Sequence, residues 1–271
     1  MKIIDAHLHV SQIPGPVLES SKGIGISPTI ENLKMEMKKH DVVNGVLISS
    51  GDDPDMERDL LLLRDISKEN GNIACVFGIN PKSMRPKHFG MLKQEMETGQ
   101  ISGIKIFPSY FPTYPNDKVY HKYYRLCIKH DLPVIVHSGA VIKTESNIYQ
   151  KYAHPLNVDD LAVDFPDLRI LMAHSGYPWL IDAAQIANKN ENVFLDLSGL
   201  REGPIEAGDD LDKHWIRWTI GYIDSQEKVM YGSDWPIVDM GDYIAWLKRM
   251  VPKGMHRAFF YENAKRFFRF G

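Results

Sequence analysis

Residues 2–9 read Lys2-Ile3-Ile4-Asp5-Ala6-His7-Leu8-His9, an apolar run that ends in two histidines one residue apart. Its composition predicts a β-strand. Because side chains alternate across a strand, His7 and His9 point to one face and Leu8 to the other. Two imidazoles held close together on a rigid strand supply half of the ligands of a metal site. The pair alone is equally typical of an ordinary strand, so the rest of the chain must decide.

This strand is the first of eight that alternate with amphipathic segments. The predicted strands cover residues 2–9, 44–49, 73–79, 103–107, 133–137, 169–174, 193–197 and 228–232. The predicted helices cover residues 30–40, 55–70, 117–130, 179–190, 214–224, 239–250 and 255–268. Strand–helix alternation is typical of a parallel sheet, and eight repeats are the count of a (β/α)8 TIM barrel.

A doubly wound open sheet is the alternative fold, but it usually has a glycine-rich turn after its first strand, and this chain has none there. The long predicted loops, residues 10–27, 108–116, 138–154 and 198–213, all follow the carboxyl ends of strands. That end of a barrel carries the active site. We therefore predict an α/β protein with a (β/α)8 TIM barrel and a single domain over residues 1–271.

Composition excludes several function classes. The formal net charge is −3 and the pI is about 6.4, which argues against a nucleic-acid or anionic-membrane partner. No apolar run reaches about 18 residues, so we expect no membrane span. Only Met1 precedes the first strand, which leaves no room for a signal peptide. We expect Cys75 and Cys127 to be buried free thiols and the protein to be cytoplasmic.

Four further polar residues fall at strand ends. Lys105 lies inside the fourth strand, and His137 ends the fifth. His174 ends the sixth strand, and Asp234 follows the eighth. In a closed barrel these positions surround one mouth together with the two histidines of the first strand. So many polar groups need a common partner, because an apolar barrel does not tolerate them unpaired. A divalent metal ion is the simplest one, and zinc accepts imidazole nitrogen and carboxylate oxygen.

These motifs resemble the amidohydrolase superfamily, most closely its amidohydrolase-2 branch of aminocarboxymuconate semialdehyde decarboxylase-like enzymes and predicted metal-dependent hydrolases. The matching pieces span the chain and are specific in combination. They are Ile4-Asp5-Ala6-His7-Leu8-His9, Gly103-Ile104-Lys105-Ile106-Phe107-Pro108, Leu132-Pro133-Val134-Ile135-Val136-His137-Ser138-Gly139, Leu171-Met172-Ala173-His174-Ser175-Gly176, Tyr231-Gly232-Ser233-Asp234-Trp235-Pro236 and Glu262-Asn263-Ala264-Lys265.

The resemblance implies a role for each polar residue. His7 and His9 would bind the metal ion. His137 would be the third ligand and Asp234 the fourth. In one-metal members, the histidine that matches His174 stays off the metal and handles water or substrate. Asp234 and His174 are thus the expected catalytic residues.

Lys105 has two functional interpretations. In two-metal members, such as dihydroorotase-like enzymes, a carboxylated lysine on the fourth strand bridges the ions, and Lys105 and His174 would then both be ligands. Otherwise Lys105 is a cation that grips an acidic substrate, since a buried lysine needs neutralisation or a nearby anion. We favour one ion and an uncarboxylated Lys105. Zinc is the preferred metal, while manganese and cobalt also suit these ligands.

Substrate contacts are harder to predict. Tyr110 in a proline-stiffened aromatic loop and Trp235 beside the metal aspartate are candidates for a flat pocket. Lys143 and Arg201, on the loops after the fifth and seventh strands, are candidates for binding a carboxylate. Asp196 on the seventh strand is a candidate for supporting the ligands.

Three functions remain open. The first is hydrolysis of an amide, lactone or related bond by metal-activated water. The second is non-oxidative decarboxylation of a small unsaturated or aromatic acid on the same metal site. The third is a non-catalytic metal-binding protein. In each enzymatic case the partner is a small acidic molecule, and a homodimer is suggested only by family analogy.

Overall fold

The computed structural model describes residues 1–11, 15–51, 53–141, 148–201 and 210–271. Eight strands form one parallel sheet in the order β1 to β8, in which each strand pairs with the next along the chain. They are β1 Ile3–Leu8, β2 Val42–Ile48, β3 Ile73–Ile79, β4 Ile104–Ile106, β5 Val134–Val136, β6 Ile170–Met172, β7 Val193–Asp196 and β8 Val229–Met230. The predicted TIM barrel is confirmed, and the observed strands are mostly shorter at their ends than predicted.

Ten α-helices are described between and after the strands. They are α1 Pro16–Gly23, α2 Ile30–Lys39, α3 Met56–Glu69, α4 Pro86–Glu97, α5 Lys118–His130, α6 Leu156–Asp164, α7 Leu180–Lys189, α8 Asp210–Tyr222, α9 Met240–Met250 and α10 Asn263–Phe268. Side chains at the N-caps of several of them accept a backbone N–H, as Thr29 does for α2 and Asp55 for α3. None of these helices, over the described ranges, combines the length and apolar character needed to cross a membrane.

Four helical regions differ from the sequence prediction, and two of them, α4 and α6, are helices absent from the predicted set. Residues 10–27 were expected to form a loop, yet α1 lies within them and begins with Pro16. Proline at the first helical position is the signal that identifies it, because eight residues are too few for a clear apolar period. The predicted helix 255–268 is interrupted by a π-helical turn, Ala258–Glu262, before α10.

The barrel closes where β1 meets the segment after β8. Ala6 N donates to Tyr231 O over 3.1 Å, and His9 N donates to Trp235 O over 2.7 Å. Asp5 reinforces this junction, since its Oδ1 accepts from Ser233 N at 2.9 Å and from His7 N at 3.1 Å. The two ends of the sequence are therefore joined at the seam, and the seam carries the β1 histidines.

The hydrophobic core has two parts. The larger part packs strands against the surrounding helices. The smaller part lies inside the barrel and takes residues from six strands, including Ile4, Val46 and Leu171. It also includes Ala264 and Phe267, so α10 packs against these interior residues.

Both cysteines are free and buried, as predicted. Burial raises the pKa of the Cys75 thiol to about 12, and burial likewise raises the pKa of the Cys127 thiol to about 12. Each therefore stays protonated at neutral pH and acts as a small apolar side chain.

We expect Phe267→Ala to destabilise the barrel strongly. Phe267 is buried against the interior core, and truncation of such a phenylalanine costs about 3–5 kcal/mol. The measurement is the free energy of unfolding from denaturant titration. Leu62→Ala is the control, because Leu62 is largely exposed on α3, and its effect should stay within about 0.5 kcal/mol. Equal stability of the two variants would show that α10 does not support the interior core.

Candidate functional site

All six polar residues predicted from the strand ends line one cavity at the carboxyl end of the barrel. They are His7, His9, Lys105, His137, His174 and Asp234. His7 lies in β1 and Lys105 in β4, while the other four follow their strands directly or within a few residues. Five of them are buried and His174 is partly buried, so water solvates their polar atoms only weakly.

One cluster of potential ligand atoms in the cavity consists of His7, His9 and Asp234, and a second group, His7, His174 and Asp196, shares His7 with it. Asp234 Oδ1 lies 3.2 Å from His9 Nε2 and 3.6 Å from His7 Nε2. One nitrogen or oxygen from each residue falls within 4.8 Å of the others, the spacing that a shared ion requires. The barrel thus brings together three side chains that lie at opposite ends of the sequence.

Hydrogen bonds on the far side of each ring identify the nitrogen that carries the lone pair. His9 Nδ1 lies 2.8 Å from Ile48 O, and a carbonyl oxygen can only accept. His7 Nδ1 lies 3.0 Å from Asp196 Oδ2, which is also an acceptor. Both Nδ1 atoms therefore carry the proton, and in a neutral ring the Nε2 atom then holds a lone pair.

The charge state of the cluster supports this assignment. Burial lowers the pKa of His7 to about 3, with the nearby Lys105 cation adding to the shift, so the ring is neutral near pH 7. Lys105 lies close enough to Asp234 for the two charges to interact, and this attraction favours the ionised carboxylate. Three electron-pair donors thus face one another, and the buried Asp234 Oδ1 has no hydrogen-bond donor. A divalent cation fits this donor set.

His137 presents a different nitrogen from the two β1 histidines. Its Nε2 lies 3.1 Å from Ala140 O, so Nε2 carries the proton and Nδ1 the lone pair. The ring contacts His174, with centroids 4.9 Å apart, but His137 is not part of the cluster of His7, His9 and Asp234. Its predicted place as third ligand therefore depends on Nδ1.

His174 lies in a left-handed turn directly after β6. Its φ is 59°, and that of the next residue, Ser175, is 45°. The His174 Nδ1 atom lies 3.1 Å from Ser198 O and donates to it, which leaves the lone pair on Nε2. Burial lowers the pKa of His174, so the ring is neutral near pH 7.

Lys105 is the basic residue at the centre of the site. Its Nζ lies 3.2 Å from His7 Nε2, the nitrogen that the metal prediction also uses. Burial lowers its pKa to about 8, although Asp196 and Asp234 oppose the shift. Neither interpretation of Lys105, a bridging carbamate or an anion-binding cation, is decided by this contact.

The cavity has a volume of about 90 Å³, which limits it to a small molecule. Its apolar wall is made of Val17, Phe107, Tyr110, Ala140, Tyr177 and Ile237. Tyr110, a predicted substrate contact, therefore lies where a bound molecule can reach it. Trp235 is fully buried in the larger core and is not among the described residues that line the cavity.

The structure describes only one of the two loop cations that were predicted to bind a carboxylate, Arg201. Lys143 lies outside the described residues. Arg201 forms an ion pair with Asp212 at the start of α8, and it is not among the described lining residues.

Sequence reasoning missed Ser198 and Gly199. Ser198 Oγ lies 3.0 Å from His7 Nδ1 and 3.1 Å from His174 Nδ1, between the two rings. A Ser-Gly pair follows β5, β6 and β7 in turn, at residues 138–139, 175–176 and 198–199. That repeated pair was the signal that could have identified them.

The family model for amidohydrolases matches residues 4–270. The chain belongs to the amidohydrolase family. The resemblance inferred from the motifs is therefore confirmed over nearly the whole sequence. The members of this family are enzymes. Among curated proteins, no relative matches this amidohydrolase.

Several solved structures share the fold of this amidohydrolase. A probable 2-pyrone-4,6-dicarboxylic acid hydrolase from Acinetobacter baumannii, with citric acid bound, has a TM-score of 0.71 and 16% identity over 100% of both chains. A 5-carboxyvanillate decarboxylase from Sphingomonas paucimobilis has a TM-score of 0.71 and 15% identity, covering 100% of this chain and 99% of its own. A dihydroxybenzoic acid decarboxylase from Polaromonas, with manganese and 2-nitroresorcinol bound, has a TM-score of 0.68 and 12% identity, covering 99% and 97%.

Gly199→Ala tests the geometry around Asp234. The φ of Gly199 is 57°, and a Cβ atom there would overlap Asp234 Oδ2 and crowd His174 Nδ1. We expect the displaced carboxylate to weaken binding of a divalent ion by about 10–100-fold, measured by competition with a chromophoric chelator. Gly254→Ala is the control, because nothing lies within 4 Å of its Cβ position. Unchanged affinity in a folded Gly199→Ala variant would contradict the placement of Asp234 in the ion site.

Proposed function

We propose that this amidohydrolase is a metal-dependent hydrolase that acts on a small carbonyl compound, such as an amide or lactone, through activated water. The observation that carries the proposal is the cluster of three buried electron-pair donors, His7 Nε2, His9 Nε2 and Asp234 Oδ1. Because no proton lies between them, they are arranged to bind a cation rather than one another. The proposed catalytic unit is one domain over residues 1–271.

The proposed ligands are His7, His9, His137 and Asp234. A divalent ion held there supplies Lewis acidity and makes water a nucleophile near neutral pH. We propose a single ion, with zinc preferred over manganese and cobalt, and an uncarboxylated Lys105. In a two-ion site Lys105 and His174 would be ligands as well.

Two side chains of the cavity would move protons. Asp234 would accept the proton of the attacking water, because the nearby Lys105 cation favours its ionised carboxylate. It returns that proton to the leaving group. His174, whose Nε2 carries a lone pair in the neutral ring, would accept a proton or a hydrogen bond from the substrate or water.

The substrate proposed for this cavity is small and acidic. Lys105 supplies a buried cation for a carboxylate, and Phe107 lies beside it, with Nζ 5.6 Å from the ring centroid. Tyr110 and Tyr177 extend the apolar wall on which a flat ring can pack. Trp235 is buried in the core and is not among the described lining residues, so we do not propose it as a substrate contact.

Decarboxylation of a small aromatic or unsaturated acid is the second candidate function. The mainly apolar wall favours it, since a ring that bears one carboxylate matches the lining and the lysine. Two of the structural neighbours with this fold are decarboxylases of substituted benzoates by name. For both functions we propose a cytoplasmic protein with no nucleic-acid or membrane partner, and a homodimer on family analogy.

Removal of the ion should abolish activity, and Asp234→Asn should lower kcat by about 10²–10⁴-fold while the fold survives. Loss of the carboxylate removes both a ligand and the proton acceptor. Elemental analysis of the purified protein should find one divalent ion per chain and less in the variant. Asp159→Asn, a carboxylate between α6 and α7, is the control that keeps its ion. Two ions per chain would contradict the one-ion proposal, and near-full kcat in Asp234→Asn would contradict its catalytic role.

The product distinguishes the two candidate reactions. A panel of lactones, amides and hydroxybenzoates is incubated with metal-loaded protein, and carbon dioxide release is followed beside acid release. We expect a ring-opened or cleaved acid without carbon dioxide, because activated water adds to a carbonyl carbon. Carbon dioxide from an aromatic acid would make decarboxylation the function instead. The Asp234→Asn protein is the blank for both assays.

A further inference from the structure

Asp196 at the end of β7 receives hydrogen bonds on both of its oxygens. The fully buried Oδ2 accepts from His7 Nδ1 at 3.0 Å. Oδ1 accepts from the backbone N–H of His174 at 2.9 Å and from that of Ser198 at 3.1 Å. The Ser198 hydroxyl also donates to Oδ1. A single carboxylate therefore connects β1 with the turns after β6 and β7.

The groups around this carboxylate are donors: the His7 ring N–H on one oxygen, and two main-chain N–H groups and a hydroxyl on the other. Hydrogen bonds donated to both oxygens favour the ionised carboxylate. A charged acceptor with two oxygens satisfies donors on both sides, which a neutral amide of the same shape cannot do.

The bond to His7 determines where the proton on that ring lies. Because Asp196 Oδ2 can only accept, His7 Nδ1 carries the proton and Nε2 faces the cavity with a lone pair. With the opposite tautomer, an N–H would point at Asp234 and His9, where the proposed ion lies. Partners of this kind on the far side of a ligating histidine fix its ring and tautomer.

The bonds on Oδ1 hold the backbone around His174. His174 and Ser175 both have positive φ, a conformation that non-glycine residues keep only when their surroundings hold it. The N–H of His174 donates to Asp196 Oδ1, and Ser175 Oγ donates to Asp196 O at 2.7 Å. The side chain and the main chain of one residue thus fix both ends of the turn.

We propose that Asp196 is a positioning residue that sets the tautomer of His7 and the backbone turn of His174 at once. This inference rests on the proposed metal-dependent function, because the tautomer of His7 decides whether its Nε2 has a lone pair with which to bind the ion. Asp196 itself does not touch the cavity: it acts through the two histidines.

Asp196→Asn gives a specific expectation. The amide offers one acceptor oxygen, while donors lie on both sides of the original carboxylate. When its oxygen faces the His174 and Ser198 amides, its NH₂ group faces His7 Nδ1. That contact requires a lone pair on Nδ1 and moves the ring proton to Nε2. The opposite orientation of the amide leaves the His174 and Ser198 N–H groups without an acceptor.

The experiment has three readouts on protein with ¹⁵N-labelled histidines: the ring tautomer, the zinc affinity and amide hydrogen exchange. The first is the tautomer of each ring in metal-free protein, from long-range ¹H–¹⁵N correlation spectra, with the His7 signals assigned through His7→Gln. The second is the dissociation constant for Zn²⁺ by chelator competition. We expect an Nδ1–H tautomer for wild-type His7, its loss in Asp196→Asn, and zinc affinity about 10–100-fold weaker. Amide hydrogen exchange should also show faster exchange at His174 N–H.

Two controls separate positioning from general damage. Asp159→Asn removes another multiply bonded carboxylate but should leave the His7 tautomer, the His174 exchange rate and the zinc affinity unchanged. Ser198→Ala removes the hydroxyl between the rings and leaves Asp196 bonded to His7, so the Nδ1–H tautomer should persist. Thermal melting confirms that each variant is folded.

The outcomes distinguish this inference from the function on which it rests. If wild type binds no zinc, manganese or cobalt, the metal-dependent function fails, while the ring tautomer and the amide exchange still decide the role of Asp196. If a folded Asp196→Asn keeps the Nδ1–H tautomer and wild-type zinc affinity, the positioning role is overturned. Should Asp196→Asn not fold, Asp196→Ser provides the same comparison, since its hydroxyl is too short to reach both sets of donors.

Discussion

A cluster of electron pairs with no proton among them is the constraint on which the site depends. His7 donates its Nδ1 proton to Asp196, and His9 donates its Nδ1 proton to the Ile48 carbonyl. Their remaining nitrogens face the Asp234 carboxylate at 3.6 and 3.2 Å. Arranging such groups in a buried space costs free energy unless a positive charge joins them. The Lys105 ammonium is one such charge, and a divalent ion is the other.

The barrel keeps this unfavourable arrangement in place by closing on itself. Asp234 N donates to His7 O over 2.9 Å, so the main chain holds two members of the cluster at a fixed spacing. Asp5 binds the same seam from behind through the amides of His7 and Ser233. The positive φ of Asp234, 74°, turns its side chain out of line with the preceding strand. The energy that holds these groups comes from the packed barrel rather than from the cluster.

Strand ends were predictable from the sequence, whereas side-chain orientation was not. The alternation of His7, Leu8 and His9, and the polar residues that end later strands, are enough to bring six side chains to one mouth. Whether His137 offers Nδ1 or Nε2 depends on one carbonyl, that of Ala140, which no residue pattern reveals. Trp235 was expected at the substrate because of its neighbour in sequence, yet the turn at Asp234 buries it in the core. Helix α1 was missed because its apolar period is too short to register.

Assembly of the site spans almost the whole length of the polypeptide. Two of the three clustered residues lie on β1 and the third follows β8, and the seam between them forms only through main-chain bonds to Tyr231 and Trp235. During vectorial synthesis, β1 therefore leaves the ribosome long before its partner strand exists. A nascent chain carries His7 and His9 as an incomplete pair and cannot enclose a cation until translation has passed the last strand. Any ion that the proposed site binds can therefore be enclosed only after β8 has been synthesised.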